Sequence, residues 1–463
     1  MRNEKKETPR IISSGTRGSP LLDQWIDRIE STRIGRWGYR GALAFVDQGL
    51  FSGSNFILSI LLGRWLLDAD YGAYSVAYSI FIFFIGFHGA LILEPMSVIG
   101  PSKYLGKSGE YIRKQIRLHF GLTSLLGIFL FCAGGIAYFT GGKSVLAEAI
   151  MGAGLALPMI LFIYLVRLSF YMIQKPIGAA LSSSVYLLIL FGLLVAARHQ
   201  NLATSFSAFL IMGLAAIAGG GLVLWKGLSR EESGNAPARE EESIRLRDMI
   251  REQWMYGRWI LATLLFNTIA SQIQVLATAG LVNLGSAGSL RAIQNFIQPM
   301  VQTSTAITLL AVPSLAMEFG RGNLTALRRK GYFITLVLTG LAIGYVLFLW
   351  AATVPLEQIA YGGKYASFDW LFPWAGIVAI FTAIGTGFSV MLRAIQRPQY
   401  VLLIGIIAAP VGVLSSLLFI PRYGVAGSIA SSILTSLISL LITIVLFFLW
   451  FPKANTPAAE RSL

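Results

Sequence analysis

Apolar stretches long enough to cross a bilayer recur along almost the whole chain. A helix of about 20 apolar residues spans the hydrocarbon core. Lipid offers no partner for backbone N–H and C=O groups, so such spans are helical. The pattern predicts an all-α polytopic membrane protein with twelve transmembrane helices. Their approximate bounds are 42–66, 72–97, 118–139, 145–165, 177–196, 205–225, 259–280, 286–312, 332–353, 370–390, 400–420 and 425–451.

The second half of the chain repeats short segments of the first. IQKP at Ile173–Pro176 returns as IQRP at Ile395–Pro398, and each precedes the fifth predicted span of its half. GRW occurs at Gly35–Trp37 and at Gly257–Trp259 with the same offset. Matched segments in the same order indicate a duplicated six-helix unit. Because six is even, both halves have the same orientation, and the repeat is parallel about a pseudo-two-fold axis along the membrane normal.

A long polar stretch between the sixth and seventh spans sets the predicted domain boundaries. They are a basic tail with a short amphipathic helix (1–40), an N-terminal six-helix lobe (41–226), a linker (227–257), a C-terminal six-helix lobe (258–452) and a short tail (453–463). Two equivalent bundles facing each other enclose a cavity, and rocking exposes it alternately on each side. The architecture is therefore typical of alternating-access transport.

The second span of each half carries further matches. Tyr71-Gly72 corresponds to Ala287-Gly288 near its start, and Pro95 corresponds to Pro313 near its end. A proline within a helix removes one backbone hydrogen bond and permits a bend. We therefore predict that Pro95 and Pro313 are hinges.

Basic residues concentrate on one side of the predicted spans. With 55% hydrophobic and 13% charged residues, the formal charge of +15 needs no nucleic acid to explain it, because anionic lipid attracts juxtamembrane lysine and arginine. The bias predicts that both termini are cytoplasmic. Apart from the N-terminal tail, it rests mainly on Lys103, Lys107, Arg113, Lys114, Arg117, Arg321, Arg328, Arg329 and Lys330.

Polar side chains inside the spans follow helical spacing and mark a candidate cavity. Polar groups facing lipid are costly, so such stripes face the protein interior. Arg291 is the only basic residue that the predicted bounds place well inside a span, and its planar guanidinium suits a phosphate or diphosphate. Packing against neighbouring helices is the alternative role for a polar stripe. The predicted cavity residues are Arg291, Gln294, Asn295, Gln298, Gln302, Asn267, Gln274, Gln48, Asn55, Tyr74 and Tyr78.

Two acidic residues and one histidine lie inside the first two spans. Asp47 and Glu94 are predicted at similar depth near the cytoplasmic boundary, and His88 lies six residues deeper than Glu94. Such a group could bind H⁺ or Na⁺ and couple it to rocking. In the alternative reading, Asp47 pairs with Arg40 or with a loop lysine and Glu94 pairs with Lys103, and these pairs hold the cytoplasmic gate closed.

Other kinds of chemistry find little support in the sequence. It has no GxxxxGK[ST] phosphate loop. Three scattered histidines and the single Cys132 argue against a metal site. We expect no cofactor beyond a coupling H⁺ or Na⁺ and no enzymatic activity.

The chain resembles the polysaccharide transporter and O-antigen flippase family of the multidrug, oligosaccharidyl-lipid and polysaccharide (MOP) flippase superfamily. The likeness covers about residues 36–452. It rests on QGLFSGSNFILSILLGRWLLDADYGAYSVAYSI from Gln48, LEPMSVIGPSKY from Leu93, the IQRP loop, and IPRYGVAGSIASSI from Ile420.

The resemblance implies two six-helix lobes of the MOP fold in the bacterial inner membrane. It implies a flippase that moves an undecaprenyl-diphosphate-linked oligosaccharide to the periplasmic leaflet, for O-antigen, capsule or exopolysaccharide synthesis. A monomer is expected, with lipid-linked oligosaccharide and membrane lipid as partners, alongside a polysaccharide polymerase and glycosyltransferases of the same pathway. The family's cationic cavity is matched only in part, by Arg291 with Arg64, Arg258 or Arg393 near span ends.

Two other functions remain open. A MATE-type exporter of drugs or small cations shares the fold, but it would be expected to use acidic cavity residues. A membrane glycosyltransferase, polymerase or ligase usually presents a long periplasmic loop or domain, and the longest outward gap here is VPLEQIAYGGKYASFD.

Overall fold

Every regular element in the described residues is a helix. The structure is a computed structural model that describes residues 33–141, 144–232, 244–395 and 399–451. The amphipathic helix predicted within 1–40 and the tail predicted at 453–463 lie outside these residues.

The N-terminal lobe contains helices α1 to α7. A π-helical turn at Gly89–Leu93 joins α2 to α3, so the two form one rod. The helices are α1 (Arg33–Trp65), α2 (Asp68–His88), α3 (Glu94–Lys103), α4 (Ser108–Thr140), α5 (Val145–Met172), α6 (Pro176–His199) and α7 (Ser205–Glu232).

The C-terminal lobe contains helices α8 to α13. Helices α7 and α8 extend into the predicted linker 227–257 from both sides, as far as Glu232 and from Leu246. The helices are α8 (Leu246–Leu281), α9 (Leu284–Asn295), α10 (Gln298–Gly320), α11 (Leu324–Tyr361), α12 (Leu371–Ala394) and α13 (Gln399–Trp450).

Ten helices in the described ranges are long and apolar enough to cross a membrane. One of them, Leu402–Trp450, has 49 residues, and Gly424 interrupts it with φ 56° and ψ −129°, a conformation that favours glycine. This helix therefore holds the eleventh and twelfth predicted spans. The eighth predicted span is divided between α9 and α10. The predicted all-α polytopic class is confirmed.

The two predicted hinge prolines lie in different surroundings. Pro95 lies two residues after the π-helical turn, and the N–H of the intervening Glu94 donates to the carbonyl of Gly89. The structure shows no interruption at position 313, because α10 runs through it. The break in this span lies at Phe296 and Ile297 instead. Bending at either proline stays a prediction.

Helices α1 to α7 pack mainly on one another, as do α8 to α13, and α2 joins the lobes by packing on α8 and α9. We call the side where α1 and α13 have their outer ends, near residues 33 and 451, the terminal face. The opposite side, where α1 meets α2 and α8 meets α9, is the distal face. The basic bias predicts that the terminal face is cytoplasmic.

The two lobes touch backbone to backbone at equivalent positions of the repeat. A Cβ placed on Gly72 in α2 would lie 1.7 Å from the carbonyl oxygen of Leu284 in α9. A Cβ placed on Gly288 would lie 3.1 Å from the backbone nitrogen of Gly72. Gly72 and Gly288 are the glycines that the repeat aligns, so α2 and α9 cross at the position expected for the pseudo-two-fold axis.

We predict that Gly72→Ala separates the lobes at this crossing. A methyl group at 1.7 Å from a backbone oxygen cannot be accommodated by side-chain movement, and overpacking typically costs about 1–3 kcal/mol. Thermal unfolding of the purified protein in detergent should show a lower midpoint for this variant. The matched control is Gly340→Ala in α11, where a Cβ would meet nothing within 4 Å. Equal midpoints for the two variants would contradict the close crossing.

Candidate functional site

A cavity of about 790 Å³ lies within the C-terminal lobe. Five helices line it: α8, α9, α10, α12 and α13. Its polar wall contains five amides, two guanidinium groups and twelve hydroxyls, and no acidic side chain of the described residues lines it. The hydroxyls belong to Ser271, Ser304, Thr305, Thr308, Thr382, Thr386, Ser389, Ser432, Thr435, Ser436, Ser439 and Thr443.

Helical spacing places these hydroxyls on the cavity wall. On α12, Thr382, Thr386 and Ser389 share one face, as do Ser432, Ser436 and the residues that follow them on α13. Most of these hydroxyls donate to a carbonyl one turn earlier, as Thr386 does to Thr382 (2.8 Å) and Ser432 does to Ser428 (2.9 Å). Because the hydroxyl proton is then used, the oxygen lone pairs remain as acceptors. The wall is suited to a ligand with many O–H or N–H donors.

The cavity's two guanidinium groups lie at different depths. Arg291 is seven residues from the distal end of α9, or about 10 Å by helical rise. Arg393 is one residue from the terminal end of α12. Arg291 is only 7% exposed, its carbon Cζ lies 4.8 Å from the ring centre of Tyr78, and its Nε has no hydrogen-bond partner among the described residues. A buried guanidinium with an open donor attracts an anionic or acceptor-rich ligand.

The cavity includes part of the predicted set. Arg291, Gln294, Gln298, Asn267 and Gln274 line it. Gln302, one turn beyond Gln298 on α10, is not among the lining residues. The remaining predicted residues have other partners, described next.

Asn295 belongs to a hydrogen-bonded cluster that joins the lobes near the distal face. Its Nδ2 lies 3.0 Å from the hydroxyl oxygens of Ser59, Tyr71 and Tyr361, and all four residues are buried. Ser59 and Tyr71 belong to the N-terminal lobe, whereas Asn295 and Tyr361 belong to the C-terminal lobe. This cluster fixes the lobes to each other rather than facing the cavity.

Backbone contacts beside this cluster strengthen the distal junction. Lys364 donates to the carbonyls of Gly63 (3.0 Å) and Leu66 (2.5 Å) and pairs with Asp68 (3.1 Å). Arg64 donates to the carbonyl of Ile359 (3.0 Å). Nearby, burial raises the pKa of the Asp369 carboxyl. The distal junction of the lobes is thus closed in this structure.

The two tyrosines predicted to line the cavity, Tyr74 and Tyr78, belong to a stack of rings along α2. The rings of Tyr71, Tyr74 and Tyr78 follow one another with centroids 6.2 Å and 5.7 Å apart. Tyr74 is 2% exposed and also packs on Phe209. Tyr78 contacts the cavity wall through the guanidinium group of Arg291.

A buried ion pair organises the N-terminal lobe. Asp47 is fully buried and receives hydrogen bonds from Nε (3.0 Å) and Nη2 (2.8 Å) of Arg167, from Tyr171 (2.5 Å) and from Ser183. Arg167 also donates to Gln48 (3.1 Å). Asn55, the other predicted residue of α1, accepts from Tyr186, and its Nδ2 donates to the carbonyl of Phe51.

The predicted group of Asp47, Glu94 and His88 does not assemble. His88 is fully buried and bonds to His119, with 2.9 Å between Nε2 of His88 and Nδ1 of His119. Glu94 is exposed and lies close enough to Arg393 of the other lobe to interact electrostatically. The carboxylate of Asp47 is occupied by Arg167 and its neighbours, so the two acids and the histidine have separate surroundings.

The alternative pairing of Glu94 with Lys103 is also not formed. At the terminal face Lys103 pairs with Glu252, which also accepts from Tyr104 (3.0 Å). The bond to Glu252 raises the pKa of Lys103. Glu110 and Lys114 bond to the backbone of Ile244. These contacts attach the start of α8 to α3 and α4, and the side chain of Arg40, the other proposed partner of Asp47, lies outside the described residues.

Comparison with solved structures identifies the fold. No protein-family model matches the chain, and no curated protein does. The inward-facing conformation of a multidrug resistance MATE family transporter of the MOP superfamily superposes with a TM-score of 0.66 at 13% identity, covering 88% of this chain and 97% of that one. Its outward-facing conformation gives 0.66 at 11%, covering 92% and 97%. The eukaryotic MATE transporter AtDTX14 gives 0.60 at 15%, covering 94% and 98%. This chain has the MATE fold.

Two residues with buried polar contacts, Arg167 and His119, were not identified from the sequence. Arg167 lies two residues beyond the predicted end of the fourth span, whereas α5 continues to Met172. It is the only basic residue between Lys143 and Lys175, and this isolated charge in an apolar stretch could have marked it as buried and paired. His119 lay at the edge of the predicted third span. Helix α4 starts ten residues earlier, at Ser108, and this brings His119 to the depth of His88.

We predict that Arg167→Met strongly destabilises the protein. Removing one partner of a buried ion pair typically costs about 3–5 kcal/mol, because the other charge is left buried. The thermal midpoint in detergent should fall well below that of Arg321→Met, which removes an exposed partner of Glu318 at 3.8 Å and should cost about 0–1 kcal/mol.

A double variant completes this experiment. Asp47→Asn combined with Arg167→Met should be less destabilised than Arg167→Met alone, since no unpaired charge remains. If Arg167→Met unfolds at the same temperature as Arg321→Met, the pair has no role in stability.

Proposed function

We propose that the protein is an alternating-access transporter that moves a lipid-linked oligosaccharide between the leaflets of the membrane. The observation that carries the proposal is the cavity of the C-terminal lobe, which combines twelve hydroxyls, five amides and two arginines and has no acid among its described lining residues. A glycan presents many hydroxyl donors, and these match the acceptor-rich walls of α12 and α13.

The depths of the two arginines suit such a substrate. Arg393 lies at the terminal end of α12, the depth of lipid head groups, where the diphosphate of an undecaprenyl carrier enters. The glycan then extends toward Gln298, Gln294 and Arg291, whose amide and guanidinium groups donate to sugar oxygens. The closed distal junction corresponds to a state that receives substrate from the terminal face.

The absence of acids separates this proposal from export of cationic drugs. The similar MATE structures are of multidrug resistance transporters, so the fold itself suits either substrate. A cation held in a buried site is costly unless an opposite charge compensates it. The described lining of this cavity supplies two positive charges and no negative one.

We predict that Arg291→Ala and Gln298→Ala each impair translocation. The assay uses proteoliposomes with a fluorescent undecaprenyl-diphosphate oligosaccharide whose outer-leaflet label is quenched. Losing a hydrogen bond to a charged group typically costs about 1.5–3 kcal/mol, so the Arg291→Ala rate should fall by about ten- to a hundredfold. The matched control is Gln302→Ala, on the same helix outside the cavity, and it should transport at the parent rate.

Two results would contradict the proposal. Equal rates for Arg291→Ala, Gln298→Ala and Gln302→Ala at equal protein level would remove the cavity from the pathway. Failure to move any of several glycolipids, together with efflux of a soluble organic cation by the same proteoliposomes, would favour the drug exporter.

A further inference from the structure

Two buried histidines form a hydrogen-bonded chain in the N-terminal lobe. His119 on α4 has Nε2 3.0 Å from the carbonyl oxygen of Pro158 on α5. Its Nδ1 lies 2.9 Å from Nε2 of His88 at the end of α2. Both histidines are fully buried, and the other ring nitrogen of His88, Nδ1, has no hydrogen-bond partner among the described residues.

The chain fixes the tautomer of each neutral ring. A carbonyl oxygen only accepts, so His119 carries its proton on Nε2 and donates to Pro158. Its Nδ1 is then an acceptor, and the hydrogen bond to it must come from the Nε2–H of His88. The Nδ1 of His88 is left as a bare lone pair inside the lobe. This atom is the one position in the chain of bonds that is open to a proton.

We propose that His88 and His119 form a proton-binding site, and that its occupancy acts on the contact between the lobes. One proton adds to Nδ1 of His88 and changes the charge of the pair from zero to +1. It can be shared, because the Nε2 proton of His88 can pass to Nδ1 of His119 along the existing hydrogen bond. No other bond forms or breaks. The proposal is independent of the substrate assigned above.

The position of His88 links this charge to the lobe contact. The next residue begins the π-helical turn Gly89–Leu93, which inserts an additional residue into one helical turn. Ala90 in this turn lies against α8 of the other lobe, where a Cβ on Gly257 would be 2.4 Å from the Ala90 carbonyl oxygen. A buried charge is unfavourable among apolar rings such as Phe120 and Phe162, so protonation favours a rearrangement of this turn. Such a rearrangement necessarily moves the contact with Gly257.

The titratable groups on the helices around the histidine pair are either paired elsewhere, exposed or further along their helices. Arg167 on α5 is held by Asp47, and Glu94 on α3 is exposed. The described side chains of α7 include no titratable group. The nearest titratable side chains along the packed helices are Tyr78 on α2, Glu94 on α3, Arg117 on α4, Tyr164 and Arg167 on α5, and Tyr256 and Arg258 on α8.

Ring nitrogen-15 NMR of the full-length protein in lipid nanodiscs tests proton binding directly. The chain has three histidines, so His88, His119 and the exposed His199 can be assigned from three single variants. At high pH, His88 and His119 should both show the Nε2–H tautomer. On acidification they should change together as one coupled step, separate from that of His199. If both rings keep their neutral signals from about pH 4 to 9 while His199 titrates, the proposal is wrong.

Distance measurements between spin labels test the link to the lobes. In a Cys132→Ser background, labels at Leu67→Cys and Trp370→Cys report on the distal ends of the two lobes, since both positions are exposed. The distance distribution should change with pH in the parent and in His199→Gln. In His88→Gln the pH-dependent change should be lost, because glutamine can still donate to His119 but binds no proton.

Comparing His88→Gln with His199→Gln shows whether a lost pH response comes from the missing proton site or from misfolding. His88→Gln should unfold at nearly the parent temperature, since its amide replaces the hydrogen bond to His119. An unchanged pH response in His88→Gln would overturn the proposal. So would protonation of the pair, seen by NMR, without any pH-dependent distance change in the parent.

Discussion

Every polar group placed in the interior of this membrane protein must find its partner within the protein, and this constraint organises the structure. Lipid supplies no donors or acceptors, and an unpaired polar group is costly there. Asp47 accordingly receives bonds from Arg167, Tyr171 and Ser183 at once. Serines and threonines bond to carbonyls one turn earlier. The helices therefore stay regular while carrying many polar residues.

The same constraint explains why the lobes meet in two different ways, through a polar cluster near the distal face and through a glycine crossing at the axis. Near the distal face, Asn295 and its hydroxyl partners satisfy one another across the junction, so closing the lobes completes these hydrogen bonds. Opening would leave these groups unpaired unless water enters. At the axis, Gly72 and Gly288 bring backbone against backbone without side chains between them. A hydrogen-bonded junction on one side and a close glycine crossing at the axis are suited to rocking of one lobe on the other.

Two of the exceptions to the constraint bear on function. The buried Nε of Arg291 belongs to a residue that lines a cavity with no acid among its described lining residues, and the Nδ1 of His88 ends a chain of hydrogen bonds. Each is an open donor or acceptor where most neighbours are satisfied. The first supports a site for an acceptor-rich substrate in the C-terminal lobe. The second supports a proton site in the N-terminal lobe, and the lobes would then divide the two tasks.

Length, apolarity and repeated segments in the sequence determined the membrane class and the correspondence of Gly72 with Gly288, because helix length and internal duplication can be read along one chain. Tertiary structure alone decided which stripe lines a cavity and which joins helices. Asn295 and Gln298 are both amides on the same predicted span, yet the break at Phe296 turns one toward the other lobe and leaves the other in the cavity. Partners distant in sequence, such as Asp47 with Arg167, depend on helix packing and exact helix ends, which local patterns do not encode.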